Sequence, residues 1–196
     1  MYGAIFPRLW KRAKREYGER DVQIRQACGF FRDEDNLKQL MVGKPYDGVD
    51  LLEEYLDIPS KFRDPCRYSL CVEELRQLDQ PLNMHPRQFL DTLLETIICI
   101  QLTINTQTQA GLEQRQKMLN LNQTNYTVSF GADDMLPIFI CVLVQSDLKN
   151  AATSCSIMEH SCDPTLLNDE YGYYLTCFQS AIDFVENKWN DIMSGQ

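Results

Sequence analysis

The chain has 196 residues, 44% of them hydrophobic and 24% charged, a composition that supports one packed domain or two tightly joined halves and excludes a disordered scaffold. Its formal net charge of -9 disfavours a generic nucleic-acid binder, which needs clustered lysine and arginine to release counterions from phosphate. The charge is also uneven: residues 1–30 carry seven Lys/Arg against three Asp/Glu, and residues 131–196 carry two against ten, which suits either an acidic surface for a basic partner patch or two solvated helix faces.

Taken in chain order, Ile5, Phe6, Leu9, Trp10, Ala13 and Tyr17 recur at helical spacing with basic residues between them, and Pro7 falls in the opening turn, so an amphipathic helix is predicted there. Such a basic helix can lie on a membrane, but a bundle helix anchored by Trp10 is the favoured reading. Arg8, Lys11, Arg12, Lys14 and Arg15 break the apolar start too soon for a secretory signal, which predicts a cytoplasmic location. A second helix is predicted over 21–31 and, after the acidic break Asp33-Glu34-Asp35, a short third one carrying Leu37, Leu40 and Met41. Lys44-Pro-Tyr-Asp-Gly reads as a turn, and Asp50 then opens a helix with Leu51, Leu52, Tyr55 and Leu56 inward. Pro59 and Pro65 bracket an irregular connection, and Pro81 closes a helix over about 68–78.

After Pro86 the rows Phe89, Leu93, Ile97 and Leu90, Leu94, Ile98 predict a strongly buried helix. The Gln, Asn and Thr of about 105–130 have no steady apolar period and read as an exposed connection with one helical turn near 112–119. Helices are then predicted near 134–146, 150–160 and 170–189. No sustained period-two alternation occurs, so the fold class is all-α: an N-terminal helical bundle over 1–82 packed against a C-terminal core over 83–189.

The longest apolar run, 135–144, is short of the ~20 residues that span a bilayer and belongs in a core. It is compatible with a buried strand, but capping favours a helix. With Asp134 as N-cap, Pro137 takes the third helical position, where its missing N–H costs no bond, and Asp133 lies just outside with its carboxylate free. Eight cysteines without a Cys-x-x-Cys pair read as free, reduced thiols, and the sequons at Asn122 and Asn125 as chance matches. With two histidines and no hydrolase, phosphate-loop or dinucleotide motif, neither a metal nor a cofactor is expected.

Gly131-Ala-Asp-Asp-Met-Leu-Pro, then Asp163-Pro-Thr-Leu-Leu, then Glu170-Tyr-Gly-Tyr-Tyr-Leu-Thr with Ser180-Ala-Ile-Asp-Phe-Val-Glu resemble in order and spacing the core of the Vps-nine domain family, exchange factors for Rab-five-subfamily GTPases on early endosomes. The resemblance covers 131–186, with a fainter echo at Pro86-Arg87-Gln88-Phe89-Leu90. It implies a guanine nucleotide exchange factor that speeds GDP release without cofactor or covalent step and is recruited peripherally to early endosomes. It also implies Asp133 as an acidic finger competing for the GTPase's P-loop lysine, and Tyr173 as the aromatic contacting the switch regions. Pro137 and Thr176 would line the same surface, with Asp134 and Ser180 beside them. Helical geometry agrees, placing Tyr174, Phe178, Ile182 and Val185 on one buried stripe and Tyr173, Thr176 and Ser180 off it.

The sequence departs from the family pattern at Thr153-Ser154, where Ser-Asn is usual, at Ile157-Met158, and at Asp169, where a glycine is usual. A non-catalytic Rab-binding or scaffold module is the second reading, and a helical adaptor using the basic first helix is the third.

Overall fold

An apolar stripe of Ala13, Ile24, Ala27, Cys28 and Phe31 continues through Gly18, and the chain folds from Phe6 to Arg32 as a single 27-residue helix, α1. The two helices predicted here are therefore one. An interior glycine costs about 1 kcal/mol, less than the stripe on either side of it gains by burial. In the computed structural model, which describes residues 6–44, 50–64, 66, 68–80, 85–119, 131–168 and 170–195, the helices that follow are α2 (Glu34–Leu40), α3 (Leu51–Tyr55), α4 (Ser69–Leu75), α5 (Pro86–Leu119), α6 (Ala132–Ser146), α7 (Ala151–Ser161) and α8 (Glu170–Ser194). Short 3-10 turns cover Ser60–Phe62, Arg76–Asp79 and Leu166–Asn168. No strand occurs among the described residues, and the fold is all-α.

Side-chain caps set several starts. Asp33 accepts from the N–H groups of Asp35 and Asn36 to open α2, and Asp50 accepts from Leu52 and Glu53 to open α3. The helix α5 continues to Leu119, so the predicted connection is helical as far as 119. A missing apolar period reports which face is unburied, whereas the Gln, Glu, Arg, Lys and Leu of 107–119 are good helix formers. The rest of that stretch, 120–130, lies outside the described residues, as do 45–48 of the predicted turn, Pro65, Pro81 and Asp169.

One hydrophobic core joins the stretches 1–82 and 83–189. Trp10 of α1 stacks on Phe89 of α5 with ring centroids 5.9 Å apart, and Phe139 of α6 meets Phe178 of α8 edge-on at 6.1 Å. Along α5, Phe89, Leu90, Leu93 and Ile97 are buried, while Leu94 is half-buried and Ile98 turns outward. By length and composition Pro86–Thr106 could cross a bilayer, but its apolar row faces this core.

Polar side chains fix how the helices meet. Buried Asp21 of α1 accepts from the N–H and hydroxyl of Thr153 at 3.1 and 2.6 Å and from Lys14 at 2.8 Å, tying α1 to the first turn of α7. Arg76 donates to the carbonyl of Ser146 at the end of α6, while Asp79 accepts from the N–H of Lys149 just before α7. Part of the uneven charge is neutralised within the molecule: Arg20 pairs with Glu186 and Asp183, and Arg25 and Arg32 both pair with Asp147.

Candidate functional site

The two aspartates at the start of α6 have different surroundings. Gly131, with extended backbone, is the N-cap, which makes Asp133 and Asp134 the second and third helical residues. The Asp134 carboxylate reaches back to accept the Gly131 N–H at 2.9 Å, the reciprocal half of a capping box. This corrects the predicted N-cap at Asp134: a glycine has no side chain to cap with, so the third residue supplies the bond. Asp133 consequently lies inside the first turn rather than outside the helix. Its carboxylate is still exposed, and it makes no hydrogen bond or ion pair among the described residues.

Pro137 falls at the sixth helical position, not the third, and lacks the N–H that would bond to the Asp133 carbonyl four residues back. Such a proline costs about 3 kcal/mol, an amount that burial of Phe139 and Phe178 at about 1.5–3 kcal/mol each offsets. The turn carrying Asp133 thus has one backbone restraint fewer than an ordinary helix.

The start of α8 presents the aromatic partner. A Cβ on Gly172 would lie 1.9 Å from the Leu167 carbonyl oxygen, so only glycine lets α8 dock so closely on the 3-10 turn before it. Tyr171 donates its hydroxyl to Asp91 of α5 at 2.8 Å. Tyr174 is buried, and Tyr173, packed edge-on against it at 5.4 Å, remains 45% exposed. Burial raises the Tyr173 phenol above its usual pKa; contact with Cys177 and the negative charge of Asp133 push the same way, which places that carboxylate in the ring's electrostatic neighbourhood. Tyr174, Phe178, Ile182 and Val185 form the buried stripe the sequence implies. Thr176 is exposed, its hydroxyl donating to the Gly172 carbonyl at 2.8 Å, and Ser180 is half-buried.

Between α6 and α8 runs a groove of about 510 Å³. Asp133, Leu136, Pro137 and Ile140 form one side, and Phe184 and Lys188 the other. Lys44, Tyr55, Leu56 and Asp57 close the third side from the turn after α2 and the end of α3. Of the residues singled out from sequence, Asp133 and Pro137 line the groove, Tyr173, Thr176 and Ser180 lie along α8, and Asp134 is engaged by the cap. Sequence reasoning missed Leu136, Ile140, Phe184 and Lys188. Their spacing from Asp133 (three and seven) and from each other (four) is the helical signal that could have found them. The third side comes from chain 76 or more residues away, and no local pattern marks it.

Two departures from the family pattern lie beneath the surface. Thr153 is occupied by Asp21, Ser154 donates to the Leu78 carbonyl at 3.5 Å, and Ile157 and Met158 are buried. Among the described residues no group of three or more His, Cys, Asp or Glu side chains is arranged to hold a metal ion. His160 sits in the last turn of α7 with Nδ1 3.0 Å from the Ser156 carbonyl oxygen.

Residues 68–190 match the Vacuolar sorting protein 9 (VPS9) domain, and the chain belongs to that family. It is similar to Ras and Rab interactor 2 of Homo sapiens, 40% identical over 58 residues, which is 30% of this chain and 6% of that protein. VPS9 domain-containing protein 1 of Homo sapiens is also 40% identical over 58 residues, covering 30% of this chain and 9% of the relative. Protein sprint of Drosophila melanogaster is 39% identical over 56 residues, 29% of this chain and 3% of its own length. The matched stretch spans less than a tenth of each of these relatives.

Proposed function

We propose that the chain is a guanine nucleotide exchange factor for a small GTPase of the Rab-five subfamily, acting in the cytoplasm after peripheral recruitment to early endosomes. The observation that carries this reading is the exposed carboxylate of Asp133, without partner among the described residues, at the lip of an apolar groove between α6 and α8. Family membership supports it, and the names Ras and Rab interactor 1 and 2 support a Ras- or Rab-type partner.

The physics of exchange gives such an acid a role. A GTPase holds its nucleotide phosphates with a P-loop lysine and Mg²⁺. A carboxylate entering that site competes for the lysine and repels the β-phosphate, so bound nucleotide is weakened. Because the two binding events are linked, the exchange factor and nucleotide weaken each other's binding by the same factor. GTP then displaces the factor from the empty complex, and no covalent bond or cofactor is involved.

In this account Asp133 is the acidic finger, Tyr173 contacts the switch regions, and Pro137, Thr176 and Ser180 form the adjoining surface, with Asp134 holding the turn on which the finger stands. The partial positive charge of the α6 N-terminus complements both aspartates. The test is release of a fluorescent GDP analogue from purified Rab-five-subfamily GTPases. Acceleration proportional to added chain supports exchange; binding to nucleotide-free GTPase without faster release selects a non-catalytic scaffold; absence of both overturns the reading.

A further inference from the structure

We propose that Asp57 is a second acidic contact for the GTPase, supplied by the N-terminal helices from outside the segment that matches the family, and that it selects partners carrying a lysine or arginine beside the apolar side chain that fills the groove. This rests on the exchange reading above and deepens it.

Among the described residues three non-glycine residues have positive φ: Asp57 at 54°, Tyr68 at 55° and Asp147 at 53°. Left-handed backbone costs a residue with a Cβ roughly 1–2 kcal/mol, less for aspartate and asparagine, so each invites the question of what its side chain returns. At Tyr68 the fold answers: its hydroxyl donates to the Phe62 carbonyl, and its N–H donates to Asp64 at 2.6 Å. At Asp147 the carboxylate accepts from Arg25 and Arg32.

At Asp57 the fold needs only the backbone. Ile58 donates to the Glu53 carbonyl at 2.9 Å and Asp57 to that of Glu54 at 3.0 Å, the two bonds of a Schellman motif ending α3, whose left-handed position glycine fills best. The Asp57 carboxylate is exposed and makes no hydrogen bond or ion pair among the described residues. It lines the same groove as Asp133. An aspartate that lines the groove, exposed and unpaired among the described residues, is positioned for a cation on the partner that fills it.

The occupant follows from the lining. Leu136, Ile140 and Phe184 form an apolar strip that accepts an aliphatic or aromatic side chain, flanked by Asp133 and Asp57. Lys44 and Lys188 share the groove, but neither neutralises Asp57 by a direct pair among the described residues. The acid from α3 therefore stays available to an incoming lysine or arginine.

Two variants separate this role from folding. Asp57→Asn removes the charge with a residue that tolerates left-handed backbone, and Asp57→Gly relieves the backbone altogether. Titration of nucleotide-free Rab-five-subfamily GTPases is expected to give about five-fold weaker binding and a shallower salt dependence for both. Exchange should show a raised KM with kcat retained, and melting temperature should be unchanged for Asp57→Asn and equal or higher for Asp57→Gly. Wild-type binding by both variants overturns the role of Asp57 and leaves the exchange reading intact. A lowered melting temperature in both would make Asp57 a structural residue and also overturn it. If the wild-type chain binds none of these GTPases, the exchange reading fails and this inference fails with it.

Discussion

The α1 seam and the α6–α8 groove hold the same kinds of charged side chain in opposite circumstances. Along the seam, Asp21 accepts from Thr153 and Lys14, Asp147 from Arg25 and Arg32, and Glu186 from Arg20. Around the groove, Asp57, Asp133 and Lys188 make no such bond among the described residues. Charge that is partnered internally holds helices in place; charge left unpartnered beside an apolar groove is what a second molecule can use. Substitutions in the seam should therefore cost stability first, and substitutions in the groove should cost activity first.

The largest stability effect is expected at the seam. Asp21→Ala strands the buried N–H and hydroxyl of Thr153 and leaves the half-exposed Lys14 only the Lys149 carbonyl, and should cost on the order of 3 kcal/mol in denaturant unfolding, the penalty of buried donors left unsatisfied. A loss below about 1 kcal/mol would mean the seam is no better held than an ordinary surface and would blunt the contrast. Gly172→Ala probes the border between the two regions. The added Cβ would force α8 away from the Leu167 carbonyl, at about 1–3 kcal/mol, and should slow exchange as Tyr173 is displaced. Lost stability with full exchange would show that Tyr173 need not be held so closely.

A smaller, pH-dependent effect is expected at Glu53. It is buried, its Oε2 atom lacks a hydrogen-bond partner, and burial is the main cause raising its pKa from the ordinary 4.5 to about 7, with the nearby Asp50 and Asp64 adding to it and the Asp64 N–H and Arg63 opposing. Because the folded state holds this proton more tightly than the unfolded chain, its contribution is fully present below pH 4.5 and is lost as pH rises through about 7. Glu53→Gln should flatten that decline and raise stability above it by on the order of 1 kcal/mol after solvent screening. An unchanged pH profile by thermal melting would reject the assignment. Asp147 has the opposite sign: the Arg25 and Arg32 guanidinium groups lower its pKa to about 2, so its contribution persists above the ordinary carboxylate range and is lost only as pH falls toward that value.

Helical periodicity made most of the fold legible, and the corrections share a cause. Apolar spacing reports burial rather than backbone, so it divides α1 between Tyr17 and Asp21, where packing on both sides overrides propensity, and reads the polar half of α5 as a connection although its residues favour helix. The start of α6 was misplaced because an aspartate is the usual N-cap, whereas here Gly131 takes that place and Asp134 bonds back to it. In the candidate groove, Asp133 stands in a local motif that short-range pattern marks. The α3 side of the groove is not legible in this way, since its position beside α6 depends on contacts such as Phe31 on Tyr55, 5.7 Å between ring centroids, that no short stretch of sequence encodes.

The twin aspartates of α6 allow the sharpest test. Asp134→Ala removes a capping bond and should cost about 1 kcal/mol of stability with only a modest effect on exchange. The decisive measurement is the rate of GDP release from a Rab-five-subfamily GTPase driven by Asp133→Ala. Acceleration should fall about 100-fold or more at an unchanged melting temperature; a variant as active as the wild type would contradict the role of Asp133 as the acidic finger.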